Sequence, residues 1–252
     1  MKKTMIALLA MAGAAFGATI TPITDTTTGE WTLHGTAKVE NGLISTTNTN
    51  WQVDAATYTL GKALTYATTD TLSFSFDATN YGTGNSCLTL ALVGSSNAIV
   101  IGHGSYDKPA DAIQVSVTDN VSVTGGYVFA ATNPSDDLTL TAGATLSGGM
   151  PTGNTASTIS GTIAWDGDSF ALTLGSSAVD GTLSYDLGIT TLDVAKVMVT
   201  IEGGASPTNG DAAWQTPTMA NLSISTPAVP EPATATLSLL ALAGLAARRR
   251  RR

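Results

Sequence analysis

The chain has 252 residues, of which 43% are hydrophobic and only 12% charged, and its formal net charge is −8. That apolar content, falling in ordered patterns, excludes an intrinsically disordered chain. The acidic balance excludes a nucleic-acid binder, whose affinity depends on neutralising phosphates with lysine and arginine.

The chain opens with Met1-Lys2-Lys3, an apolar run from Met5 to Ala15, and the small residues Ala15-Phe16-Gly17-Ala18. Basic, then apolar, then small is the order of a secretory signal peptide, which predicts residues 1–17 as the leader and signal peptidase as its partner. Ala15 and Gly17 suit the two small-residue pockets of that enzyme, so the expected cut lies between Gly17 and Ala18. The apolar run is shorter than the ~20 residues that span a bilayer as a helix.

Residues 18–228 are expected to form one large β domain. Apolar residues recur at every second position, the period of a half-buried strand. From Thr71 to Ala78, Leu72, Phe74, Phe76 and Ala78 share one face, with Thr71, Ser73, Ser75 and Asp77 on the other. Similar runs follow at Leu88–Val93, Ile113–Val117, Ile159–Trp165, Phe170–Leu174, Leu183–Leu187, Val197–Ile201 and Met219–Ile224. No stretch of the body has a 3.6-residue period, and the runs are separated by Gly, Asn, Asp and Ser. An all-β fold, an antiparallel β-sandwich or barrel, is the prediction.

One hairpin is placed by its turn. Trp165 and Phe170 flank Asp166-Gly167-Asp168-Ser169, and Asp-Gly favours a tight turn because glycine takes positive φ without steric cost. The two aspartates read as turn formers rather than as a calcium pair, since calcium takes six or more oxygens. The single cysteine, Cys87, cannot close an internal disulfide and, beside Leu88, reads as a small buried hydrophobe.

The body holds little catalytic chemistry. His34 and His103 are the only histidines, neither with a partner at metal-ligand spacing, so no metal site is predicted. Ile101-Gly102-His103-Gly104 reads as a glycine-flanked turn with an exposed histidine. No nucleophile elbow or phosphate-cradling loop occurs. A glycosidase needs two carboxylates across the scissile bond, and Glu30, Glu40 and Glu202 are each isolated in sequence. No catalytic residue is assigned, and a non-enzyme is expected. Trp31, Trp51 and Trp214 are the candidates for stacking on a sugar ring, their other role being to plug the ends of the sandwich.

The chain closes with Val229-Pro230-Glu231-Pro232, an apolar stretch from Leu237 to Ala247, and Arg248 to Arg252. The prolines keep the first segment extended and accessible to a processing enzyme. The apolar stretch allows a lipid-compatible helix, and the arginines resist translocation, holding the tail at the inner membrane while the body is exported. Lys2, Lys3 and these five arginines supply seven of the eleven basic residues. The body therefore keeps four lysines against eighteen acidic residues once Glu231 is set aside, a net charge of −14.

Pro-Glu-Pro, hydrophobic helix and basic end, together residues 229–252, resemble the PEP-CTERM sorting domain. The resemblance implies that an integral-membrane exosortase recognises Pro230, Glu231 and Pro232, cuts nearby and delivers the protein to the cell exterior after transient membrane anchoring. A second resemblance rests on the order of the body's elements. An early segment from Trp31 to Trp51 with Asn41-Gly42-Leu43, the Thr71–Ala78 strand, the Trp165-Asp166-Gly167 hairpin and a closing Ala220-Asn221-Leu222-Ser223-Ile224 strand are similar to the concanavalin A-like and laminin-G-like jelly rolls. It implies that an early strand pairs with the last one, and that extracellular polysaccharide, with calcium as the one cofactor in view, could be a partner. The combined expectation is an exported, exosortase-processed cell-surface or extracellular-matrix protein with a non-catalytic body. A carbohydrate-binding, lectin-like module is the alternative, and a glycoside hydrolase the third reading.

Overall fold

The alternation becomes extended chain in the computed structural model, which describes residues 18–20, 29–47, 53–79, 87–103, 111–119, 143–151, 155–202 and 217–227. Chain contacts divide the protein into two units, residues 1–18 with 228–252 and residues 19–227, and the described strands lie in the second. They are β1 (Thr19–Ile20), β2 (Gly29–His34), β3 (Ala37–Glu40), β4 (Leu43–Thr46), β5 (Val53–Tyr66), β6 (Thr71–Thr79), β7 (Cys87–Val93), β8 (Asn97–His103), β9 (Ile113–Asp119) and β10 (Ala144–Leu146), then β11 (Ala156–Trp165), β12 (Phe170–Ser176), β13 (Val179–Ile189), β14 (Leu192–Glu202) and β15 (Thr218–Ser225). All eight runs read from alternation lie in strands. The predicted signal and C-terminal helices fall outside the described residues, as does the Cys87 side chain. Among the described residues, no helix is long and apolar enough to cross a membrane.

Two antiparallel sheets form. The eight-stranded sheet runs β13-β12-β11-β6-β15-β4-β3, with β1 also paired to β15; the seven-stranded sheet runs β10-β9-β8-β7-β14-β5-β2. The early strands β1 and β4 both pair with the last strand, β1 through Thr19↔Ser225 and Ile20↔Ile224, β4 through Leu43↔Ala220 and Ile44↔Met219. This closing arrangement of a two-sheet jelly roll is the one that the second resemblance implied.

The core lies between the sheets and takes every second residue from both. Leu72, Phe74 and Phe76 of β6, and Ile159 and Ile163 of β11, come from one sheet; Leu88, Leu90 and Leu92 of β7, with Val197, Val199 and Ile201 of β14, come from the other. Each such side chain contributes roughly 1.5–3 kcal/mol when removed from water. Asp54 ties the layers at one end. Its carboxylate accepts from the Thr36 amide at 3.0 Å and the Thr36 hydroxyl at 2.8 Å, and from the Thr46 hydroxyl on β4 of the opposite sheet. Gly35, with φ of 67°, leaves room for it, since a Cβ there would lie 1.8 Å from an Asp54 oxygen.

Two hairpins show their sequence signals. Asn41 and Gly42, with φ of 53° and 75°, turn β3 into β4, as a two-residue loop with positive φ at both positions requires. In the second, Trp165 pairs with Phe170, and Asp166 Oδ1 accepts from the amides of Asp168 and Ser169, both at 3.1 Å. The aspartate thus closes the turn, as its sequence position predicts.

Strands β1 to β5, β8 and β10 were not among the expected runs, and β5 and β8 are the longest of them. β5 is interrupted by Gly61 and Lys62 and gains its regularity from pairing on both edges, with β14 and β2. β8 lacks alternation because its residues from Ala98 to His103 are buried on both faces of the sheet, the situation in which a strand reads as a continuous apolar run.

Candidate functional site

The outward faces of the two sheets differ in chemistry and in exposure. On the eight-stranded sheet, antiparallel register aligns Thr182, Gly175, Ser160, Ser75 and Ser223 in one row across β13, β12, β11, β6 and β15. A second row, two residues along each strand, aligns Ser184, Thr173, Thr162 and Ser73. These positions alternate with the core residues, so their side chains face away from it. Ser160, Thr162, Thr173 and Thr182 are exposed. Ser75 and Ser223 share a hydrogen bond of 2.8 Å, and the Ser73 amide donates to Ser225 Oγ at 2.8 Å. A hollow of about 420 Å³ lies over these rows, and among the described residues no charged one lines it.

On the seven-stranded sheet the outward face is shielded. One row aligns Thr57, Met198, Ala91, Val100 and Ser116; the next aligns Ala55, Thr200, Thr89, Gly102 and Gln114. The hydroxyls of Thr57, Thr89, Ser116 and Thr200 are buried and have no hydrogen-bond partner. Thr89 and Thr200 are 0% exposed, Ser116 5% and Thr57 6%. A buried hydroxyl without a partner costs roughly 1–3 kcal/mol, and native proteins leave few such groups unsatisfied. Four on one face mark a covered layer that ordered water would complete.

His103 corrects its sequence reading. It lies in β8 opposite Leu88 and is 0% exposed, not in an exposed turn. The flanking glycine misled, because Gly102 serves close strand packing: a Cβ on it would sit 2.2 Å from the Leu88 carbonyl oxygen. Burial lowers the imidazole pKa, opposed by the Ala112 carbonyl and the charge of Asp111. His34 is exposed on β2. Among the described residues no group of three or more His, Cys, Asp or Glu is arranged to hold a metal.

Six of the described carboxylates serve the frame, Asp54 and Asp166 as above. Asp77 accepts from Thr158 and Asn221, both at 2.6 Å; Asp193 accepts from the Ser95 amide at 2.8 Å; and Asp70 accepts from the Ala67 amide at 2.7 Å. Asp186 accepts from the Ser169 hydroxyl and the Gly188 amide, and these bonds hold its pKa below the usual carboxylate value. Tyr66 donates to the Ser225 carbonyl, and burial raises its phenol pKa.

Of the three tryptophans proposed for stacking, Trp31 is half-buried and packs on Tyr58, with ring centroids 5.2 Å apart and planes at 57°. Trp51, Trp214 and the sorting residues Pro230, Glu231 and Pro232 lie outside the described residues. The rows of hydroxyls were the feature sequence reasoning missed. Their signal was present in the Ser/Thr positions that alternate with the core in β6, β11 and β12, but aligning them across strands required the register.

Residues 228–252 match the PEP-CTERM protein-sorting motif. The motif implies exosortase-dependent export and a surface-associated protein. No match is found among curated proteins. Among solved structures, the metal-free carbohydrate recognition domain of Emp46p is 12% identical with a TM-score of 0.46, covering 78% of this chain and 87% of that one. The apo Crh5 transglycosylase is 16% identical with a TM-score of 0.48, covering 86% of each chain. A Bacillus licheniformis beta-glucanase is 12% identical with a TM-score of 0.45, covering 83% of this chain and 98% of that one. Their activities belong to those proteins.

Proposed function

We propose that the exported body acts without catalysis, as a cell-surface or matrix module delivered by its sorting tail. The observation that carries this reading is the use of the carboxylates. Asp54, Asp70, Asp77, Asp166, Asp186 and Asp193 are engaged as acceptors for turns, cross-strand hydroxyls and the tie between sheets. A glycosidase needs two carboxylates placed across a scissile bond, whereas these six are turned to the amides and hydroxyls of the frame. Incubation of the purified protein with a panel of polysaccharides should release no reducing ends; release above a protein-free blank would remove this reading. Deleting residues 229–252 should abolish surface retention, and unchanged retention would break the link between the tail and the role.

A second reading, a lectin-like module, is favoured by the exposed hydroxyls of Ser160, Thr162, Thr173 and Thr182 on the outward face of the eight-stranded sheet. A body with no arginine and four lysines offers anionic ligands little. The matching ligand is uncharged and rich in hydroxyls. A glycan array that stays blank with calcium present would count against it.

A further inference from the structure

We infer that β2 is a self-complementary rim through which two copies of this chain pair antiparallel, joining their seven-stranded sheets into one. Such a contact requires no ligand and is distinct from both functional readings above.

The four rims of the sandwich differ. A strand at the rim of a sheet offers its outer row of backbone groups to a further strand, and native proteins blunt such rims by shortness or by charge. β10 and β3 end their sheets with three and four residues. β13 has eleven, but it carries Asp180 and Asp186 and no basic residue, so two copies would bring like charges together. β2, the remaining rim, has six residues with neither proline nor lysine among them.

Its side chains suit a partner strand. Leu33 lies opposite Ala56, itself opposite Val199, so it belongs to the core-facing side of the sheet. It is nevertheless 48% exposed, the one exposed large hydrophobic among the described residues. Trp31, on the same side, is half-buried beside Tyr58. The apolar side thus runs out past the cover of the opposite sheet, where an added strand would remove more of it from water. Glu30, Thr32 and His34 alternate with these residues and are exposed on the other side.

A two-fold axis at Thr32 accommodates them all. It sets Thr32 opposite the partner's Thr32, Trp31 opposite the partner's Leu33, and Glu30 opposite the partner's His34, the last two pairs each occurring twice. Residues opposite each other in an antiparallel pair share a face, with Cβ atoms about 4.5–5.5 Å apart. The apolar pair therefore extends the core side, while on the outer side the carboxylate accepts from an imidazole N–H. A register two residues away leaves Glu30 or His34 opposite Thr32 and forfeits that match. A six-residue strand is about 20 Å long, and one such pair falls short of the ~1,200 Å² of a stable interface. The dimer is accordingly weak and is favoured where exported copies are concentrated.

The test is sedimentation of the protein purified after export, from ~5 to ~500 μM, a range that resolves weak association. The weight-average mass should rise from one copy toward two. Glu30→Lys places a cation opposite the partner's imidazole, and His34→Glu places two carboxylates opposite each other; each should weaken association about tenfold or more. The first also makes the body less acidic, which by itself would ease repulsion between copies. Combining the two substitutions restores opposite charges in reverse order and should return association to within about threefold of the wild type. Leu33→Asn should weaken it about fivefold. These side chains are exposed, so thermal unfolding should be unchanged. In a Cys87→Ala background, Thr32→Cys should crosslink two copies under mild oxidation, and Thr59→Cys, one strand inward, should not. A wild type that stays monomeric throughout, variants that all associate like it, or a charge exchange that fails to restore association would each overturn the pairing. Should Cys87→Ala unfold, the charge exchange decides alone.

Discussion

The outward face of the eight-stranded sheet and that of the seven-stranded sheet are built from similar residues in opposite circumstances. Ser and Thr on β6, β11 and β12 stand in water, so each strand alternates strictly, as β11 does in its exposed-buried repeat. On β7, β8 and β9 the corresponding positions are shielded, and small residues such as Ala91, Ala98 and Val100 mix with the hydroxyls of Thr89 and Ser116. The same hydroxyl is nearly neutral in energy on the first face and costly on the second. Retention of four costly ones on one face is therefore more informative than the larger number of exposed ones.

That contrast can be broken from the core outward. Leu90→Ala removes a fully buried side chain behind the shielded face and should cost about 2–5 kcal/mol, read as a fall in the urea midpoint at constant m-value. Asp54→Ala leaves the donors of Thr36 and Thr46 without their acceptor and should cost about 3 kcal/mol by the same measurement; a loss below 0.5 kcal/mol, on the order of a surface substitution, would show that the tie between sheets contributes nothing.

The third prediction concerns pH. His103 has its folded-state pKa held below the ordinary 6.5, so below pH 6.5 the unfolded chain binds a proton that the folded chain refuses. Stability is fully present above that pH and is lost as pH falls, with a slope of at most about 1.4 kcal/mol per pH unit. Comparing urea midpoints of the wild type and His103→Asn between pH 7.5 and 5.5 should show the slope in the wild type and its removal in the variant.

Thr200→Val sharpens the comparison most directly. Replacing an unpartnered buried hydroxyl with a methyl should leave stability unchanged or raise it by about 1 kcal/mol. A loss of 1 kcal/mol or more, about the net contribution of one hydrogen bond, would mean that the hydroxyl already has a strong partner in solution. Ser160→Val, on the exposed face, should shift the unfolding free energy by less than about 0.5 kcal/mol.

The sequence by itself determined the two-residue period, the resulting all-β class, the Asp166 hairpin and the sorting tail, because each depends on neighbours a few residues apart. Turn chemistry, strand alternation and a Pro-Glu-Pro segment ahead of an apolar run are local properties. Only the tertiary structure decided the rest. β8 gave no alternation because burial on both faces erases it, and Gly102 looked like a turn because nothing local reveals an approaching strand. Likewise, Asp54 meets Thr36 and Thr46 only when the sheets stack. Above all, the hydroxyls from Thr182 to Ser223 form a row only once five strands far apart in sequence take one register. Register is set by the whole pattern of core burial across a sheet, and no single strand carries it.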